Sequence, residues 1–292
     1  SLHDALPICH AGERGEASDW CYVNNFEDPS RPRALALPPG KGVQLKRDME
    51  KLIERMLVTV PNVFRGDEYR RRISDIQEEY QEREGKLFGD LNEEARGKGM
   101  VVIRTPGGYT IGPVREGKLM TPAQFNDMSK EEQDLAKAVI EELNRKLKTI
   151  IENIHDWQEE STDRVKAIDN EFIHDIIDPM MVALKSRYQM YPAVLEFLGA
   201  AHQDMAENIW DFMPNEQQEG NTPLRKKVFA MEHLRYHVNV LVDHDGASGV
   251  PVLYEDNPTL QNVIGRIEHI AQMGTLVTNF SLIKPGALHR AN

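Results

Sequence analysis

Apolar residues recur along this chain in three different rhythms, and the changes of rhythm divide it. Near the N-terminal end, Trp20-Cys21-Tyr22-Val23 is a short β-prone run that leaves through Asn24-Asn25-Phe26-Glu27-Asp28-Pro29. That pattern predicts one buried strand and its turn-rich exit. The prolines of Arg31–Gly42 keep the next stretch extended. From Val43 to about Leu57 the residues Leu45, Met49, Leu52, Ile53 and Met56 then take up helical spacing.

The second rhythm is helical and polar. Residues 59–235 are rich in Glu, Gln, Lys and Arg and show few strand signals. One helix is expected from Asp67 to about Arg96, stopped by Gly97 and Gly99. Met100–Arg104 and Tyr109–Val114 flank Thr105-Pro106-Gly107-Gly108, which predicts a β-hairpin over about 100–114. Ser129-Lys130-Glu131-Glu132 has the form of a capping box, in which the serine hydroxyl and a glutamate three residues on satisfy orphan backbone donors. Behind it Leu135, Val139, Leu143, Leu147, Ile150, Ile154, Trp157, Val165, Ile168, Phe172 and Ile176 step by three or four, with a polar gap near Ser161. This is a coiled-coil seam. Forty-five such residues would extend about 65–70 Å, so the helix needs a partner, for which 67–96 and 192–212 are the candidates. Asp178-Pro179 predicts a kink or break, and Met213-Pro214 through Pro223 a polar loop.

The third rhythm returns to α/β character. His237–Asp243 reads as an apolar strand before the turn Asp245-Gly246, and Pro251–Tyr254 as a second short run. Thr259 to about Ala271 has helical spacing through Leu260, Val263, Ile264 and Ile267. The simplest topology is an α/β domain in two segments that flank a helical insertion.

Composition narrows the function. With 47 acidic and 35 basic residues the net charge is −12, which opposes accumulation on a phosphate backbone and argues against nucleic acid as a ligand. The runs Arg70-Arg71-Arg72 and Arg225-Lys226-Lys227 are read as solvated helix faces. No window reaches 18 apolar residues, which excludes a membrane helix. Cys9 and Cys21 are the only cysteines, too few for a disulfide framework or a cysteine zinc site, and a reducing cytoplasm is the simplest setting. Neither Pro38-Pro39-Gly40-Lys41-Gly42 nor Thr105-Pro106-Gly107-Gly108 has the GxxxxGK[ST] spacing of a phosphate loop. Glu255-Asp256-Asn257 could offer oxygen ligands to a hard cation, but adjacent side chains diverge, and a helix cap by Asp256 or Asn257 ahead of Pro258 is the better reading. His237 and His244 read as surface histidines, Trp157 and Trp210 as core.

Two stretches carry a family resemblance. Tyr254-Glu255-Asp256-Asn257-Pro258, Gly265-Arg266-Ile267-Glu268, Met273-Gly274-Thr275 and Lys284-Pro285-Gly286-Ala287-Leu288-His289-Arg290-Ala291-Asn292 resemble the part of an AAA+ ATPase that precedes its acidic metal-binding strand, as found in Lon-like ATP-dependent proteases. The run Asp19–Pro29, followed by Arg31-Pro32-Arg33-Ala34-Leu35, resembles the strand after the nucleotide-binding helix of the same family. The resemblance covers about 18–57 and 236–292, and extends more weakly into the insertion through its helix-hairpin-helix order.

The resemblance implies an α/β plus mainly α fold. A partial AAA+ lobe, residues 18–58 and 236–292, would be split by a helical coiled-coil insertion over 59–235 that carries the hairpin. Residues 1–17 would be a non-native or disordered leader. The chain is expected to be an internal piece without the phosphate loop, the acidic strand or the Ser-Lys protease domain, and to be inactive alone. The parent would be a cytoplasmic, ring-forming, hexameric serine endopeptidase that uses ATP and Mg²⁺ to thread and degrade unfolded or damaged proteins. No cofactor would be bound by this chain alone. Gln272, Met273, Gly274, Thr275, Leu276 and Val277 would form the substrate pore loop. His289 and Arg290 would face nucleotide or a neighbouring subunit, or else fix the approach to the acidic strand. A coiled-coil scaffold and a non-proteolytic AAA+ remodelling ATPase are the competing readings.

Overall fold

The computed structural model describes residues 17–105, 108–115, 118–214, 233–244, 251–272 and 275–291. The leader expected over 1–17 lies outside these except for Ala17, which is buried. The basic run 225–227, most of the polar loop after Met213 and the Asp245-Gly246 turn also lie outside them. The fold is mostly helical, with small sheets and one long helix. Its contacts divide it into two compact units, residues 1–65 with 172–292 and residues 66–171.

The first unit is built on a three-stranded antiparallel sheet with β1 (Asp19–Val23) between β2 (Arg33–Leu37) and β6 (Val238–Val242). Tyr22 pairs with Ala34 on one side and Asn239 on the other, so segments more than two hundred residues apart close into one sheet. Side-chain alternation explains why β1 is central. Asp19, Cys21 and Val23 are buried on one face, while Trp20 and Tyr22 are half-buried on the other.

Helix α1 (Lys41–Phe64) buries Leu45, Met49, Leu52, Ile53 and Met56. It continues past the expected end at Leu57 because Val60, Pro61 and Phe64 prolong the buried stripe. Asp48 on this helix accepts hydrogen bonds from Arg187 Nη1 and Tyr188 Oη, both at 3.0 Å.

The second unit is an antiparallel helix pair, α2 (Asp67–Gly97) against the first part of α4 (Lys130–Arg187). Partners run backwards along α4 as they run forwards along α2. Tyr69 Oη donates to Asp169 at 2.7 Å, Arg72 forks onto Glu171 at 2.7 Å, Arg164 donates to Glu79 at 2.8 Å and Lys98 meets Glu142 at 2.8 Å. Leu91, Ala95, Leu143, Leu147 and Ile150 form the apolar seam between the helices, closed at one end by Met100 and Ile111. Those two belong to β3 (Met100–Thr105) and β4 (Gly108–Arg115), an antiparallel hairpin extended by β5 (Lys118–Leu119). Short helix α3 (Pro122–Asn126) leads to Ser129, whose hydroxyl accepts from Glu132 N while Ser129 N donates to Glu132.

Several expectations are corrected. Leu135 is 71% exposed and Ala136 takes its place in the seam, one position round the helix. The kink or break at Asp178-Pro179 does not interrupt α4. A proline inside a helix costs about 3 kcal/mol, but Ile176, Ile177, Met180, Met181 and Leu184 are buried on either side of it. His202 Nε2, from α5 (Pro192–Glu207), meets Asp178 Oδ1 at 2.8 Å. Trp210 is 50% exposed and rests on Phe64 with ring centroids 4.7 Å apart, so it is not core. Trp157 is half-buried beneath the Arg83 guanidinium, 5.6 Å from its ring centre. Pro251–Tyr254 forms no strand. Among the described residues no helix is long and apolar enough to cross a membrane.

Candidate functional site

Two places in the first unit concentrate polar or conformationally special residues. One is the junction of β1, α1 and the exit of β6. Asp19 has no exposed surface, and its carboxylate accepts from two backbone donors distant in sequence, Gly42 N at 2.9 Å and His244 N at 2.8 Å. His244 is 5% exposed, not a surface histidine, and its Nδ1 lies 3.1 Å from Ser18 O. His237 is half-buried, and burial lowers its pKa. Cys21 lies beside this carboxylate. Burial, then the charges of Asp19 and Asp243, push its thiol up to about 12, which leaves it protonated and unsuited to nucleophilic chemistry.

This junction also tests the Gly40-Lys41-Gly42 turn as a phosphate cradle. Gly40 caps α1 at φ 77°, and the helix has no acidic residue in its first turn. A carboxylate already holds Gly42 N, however, and a Cβ on Gly42 would lie 2.8 Å from Cys21 Sγ. An anionic group packed against this turn repels a second anion, so these residues do not fit the phosphates of ATP. Among the described residues no cluster of three or more His, Cys, Asp or Glu side chains could hold a metal ion.

The approach to β6 is fixed by a second polar network. Arg235 Nε donates to Asp204 Oδ2 at 2.6 Å and its Nη2 to Asp211 Oδ2 at 2.7 Å, while Tyr236 Oη donates to Asp204 Oδ2 at 2.6 Å. Tyr236 is fully buried; burial and the Asp204 carboxylate raise its pKa, so the phenol remains a donor.

The other place is the segment 255–291. Thr259, not Asp256 or Asn257, caps α6 (Leu260–Ile264), accepting from Asn262 N at 3.2 Å. The helix stops at Gly265 rather than running to Ala271. Gly265 has φ +87°, and a Cβ there would come within 2.4 Å of Lys284 O. Gly286 is equally confined, since its Cβ would meet Gly265 N at 2.3 Å. Two backbones therefore cross with no room for side chains.

Beyond the crossing, β7 (Arg266–Ile267) pairs with β10 (Ile283–Lys284), and β8 (Ile270–Gln272) with β9 (Thr275–Val277). Glu268 N donates to Leu282 O at 2.9 Å and Thr278 Oγ1 to Glu268 O at 3.0 Å, which joins the two pairs into one hairpin. The expected pore-loop residues are thus placed in part. Gln272 and Thr275 are paired, Leu276 is 70% exposed opposite Ala271, Val277 is half-buried, and Met273 and Gly274 lie outside the described residues.

His289 and Arg290 belong to α7 (Ala287–Arg290) and are engaged locally. His289 Nδ1 accepts from Gly286 N at 3.2 Å, and Arg290 lies 3.8 Å from Glu255. His289 also lines a cleft of about 430 Å³ with Trp20, Tyr22, Leu241, Ile264 and Leu288. The Asp19 junction went unread in the sequence, where an acid at the start of an apolar strand was its one visible sign.

The family described as Lon-like LonC helical domain matches residues 19–52, and the family described as LonB-like, AAA domain matches residues 248–292. The first match covers β1, β2 and the first half of α1, and the second covers the 255–291 segment. No curated protein matches the chain.

Proposed function

We propose, starting from the Lon-like character of residues 19–52 and 248–292, that this chain serves a Lon-like ATP-dependent serine endopeptidase. It supplies part of the AAA+ module and the helical element that governs substrate entry. The observation that carries this reading is the β8–β9 hairpin, which lies inside the LonB-like match and presents Leu276 to solvent. A translocating loop must hold many sequences without specific hydrogen bonds, and exposed apolar side chains on a short hairpin suit that task.

Gln272, Met273, Gly274, Thr275, Leu276 and Val277 are assigned to this loop. His289 sets the Gly286 turn beneath the Gly265 crossing, and so fixes how the hairpin leaves the sheet. Arg290 is the residue offered to a neighbouring subunit. ATP and Mg²⁺ are assigned to other parts of a cytoplasmic ring, a hexamer in this reading, because the turn at Gly42 does not accept phosphate. The substrates are unfolded or damaged proteins.

Photo-crosslinking tests the assignment. With benzoylphenylalanine at Leu276, reduced carboxymethylated α-lactalbumin should be captured efficiently. The same label at Val58, an exposed position on α1, should capture little. Equal capture at both positions would sink the pore-loop reading.

A further inference from the structure

We propose that Asn239 is a positioning residue for the β8–β9 hairpin: its amide ties the stem of that hairpin to the central sheet, and the hold of the hairpin on a polypeptide depends on the tie. This rests on the pore-loop reading of residues 272–277. Asn239 is the one polar side chain of β6, Val238-Asn239-Val240-Leu241-Val242. Asparagine is depleted in strands, and a half-buried amide is costly without partners. This one has two. Its Nδ2 donates to Phe280 O at 2.7 Å and to Ile283 O at 3.1 Å. Both partners are acceptors, so the amide nitrogen, with its two hydrogens, is the end that faces them. Ile283 N also donates to Phe280 O, which places both carbonyls on one closed turn, Phe280–Leu282 and the residue after it. On the other side Asn239 is paired with Tyr22 of β1, so the tie starts from the middle of the sheet.

The hairpin needs such a tie because it cannot hold its own direction. β7–β10 has two residue pairs and β8–β9 three, and an isolated two-stranded ribbon is only marginally stable in water. The Gly265–Gly286 crossing fixes one end of the stem. A single fixed point leaves the stem free to swing about it. The Asn239 bonds supply a second point at the opposite end, where the stem passes into the β8–β9 pair. Buried Phe280 seats the same turn against β1 and β6. From there the connection to the gripping residues is continuous: Glu268 N donates to Leu282 O, Thr278 Oγ1 donates to Glu268 O, and Val277 pairs with Ile270. The ion pairs of Glu268 with Arg266 and Lys284 lie along the stem and are half-exposed, so they add little to its direction.

Two variants of the full chain test the proposal. Asn239→Asp keeps the shape of the side chain and puts a carboxylate oxygen against the two carbonyls, whereas Asn239→Val removes the donor without adding charge and suits a strand. In each, the amides of β7 to β10 should exchange hydrogen about tenfold faster, while those of β1 and β2 keep their wild-type rates. Benzoylphenylalanine at Leu276 should then capture reduced carboxymethylated α-lactalbumin about threefold less than in the otherwise wild-type chain, as the fraction of hairpins held in place falls. Undiminished capture by a folded variant of either kind overturns the proposal and leaves the pore-loop reading standing. Faster exchange that reaches β1 and β2 equally also overturns it, because Asn239 is then a support of the whole sheet. If the label at Leu276 in the otherwise wild-type chain captures no more than one at Val58, the pore-loop reading falls and takes this proposal with it.

Discussion

At the scale of single residues, Asp19 carries the heaviest demand. A carboxylate without solvent contact is costly to bury unless hydrogen-bonded, and here both oxygens are used, one on the N-terminus of α1 and the other on the exit of β6. Its role is to fasten three elements that the sequence keeps far apart. Asp19→Ala leaves two backbone donors buried and unsatisfied, so the protein should lose about 3–5 kcal/mol of stability. Urea unfolding followed by circular dichroism checks this, and a loss below about 1 kcal/mol would mean that water replaces the carboxylate. The sequence could not announce this role, because a buried acid and a solvated one look alike until the strand's partners are known. His244 looks like a surface histidine in the sequence for the same reason: its partners in the fold, Asp19 and Ser18, are both more than two hundred residues away.

At the scale of elements, local signals were legible where the chain obeys local rules. Ser129 and Glu132 form the predicted capping box, and Thr105 and Gly108 close the predicted hairpin. Signals failed where distant packing outweighs local preference. Thr259 to Ala271 has helical spacing, yet the helix ends at Gly265 because the backbone of residues 284–286 crosses there and admits no side chain. Pro179 is the converse case, a helix breaker within a continuous helix. Buried apolar residues on both sides hold it, together with the Asp178–His202 contact. That tolerance leaves the ordinary cost of proline in place. Pro179→Ala restores a backbone donor and relieves the clash with the preceding turn, and should stabilise the protein by about 1–3 kcal/mol. A raised midpoint in thermal unfolding is expected. A lowered one would show that the proline ring fills space that alanine leaves empty.

At the scale of the whole molecule, the central fact is that β1 has neighbours from both directions of the chain, β2 a few residues away and β6 beyond position 237. Hairpin pairing with β2 is local, whereas pairing with β6 closes a long loop whose entropic cost must be offset by the burial of Cys21, Val23, Val238, Leu241 and Val242. The Asp19 bonds and the Arg235–Asp204–Tyr236 network hold the strand at its two ends, so β6 has little freedom to open alone. The amides of β1 and β6 are therefore expected to exchange hydrogen in a single cooperative step, at the free energy of unfolding of the first unit. Native-state exchange across a urea series reads this directly. If β6 exchanged at a markedly lower free energy while β1 stayed protected, β1 and β2 would form a stable hairpin without it, and the Lon-like match at 19–52 would belong to a module independent of the one at 248–292.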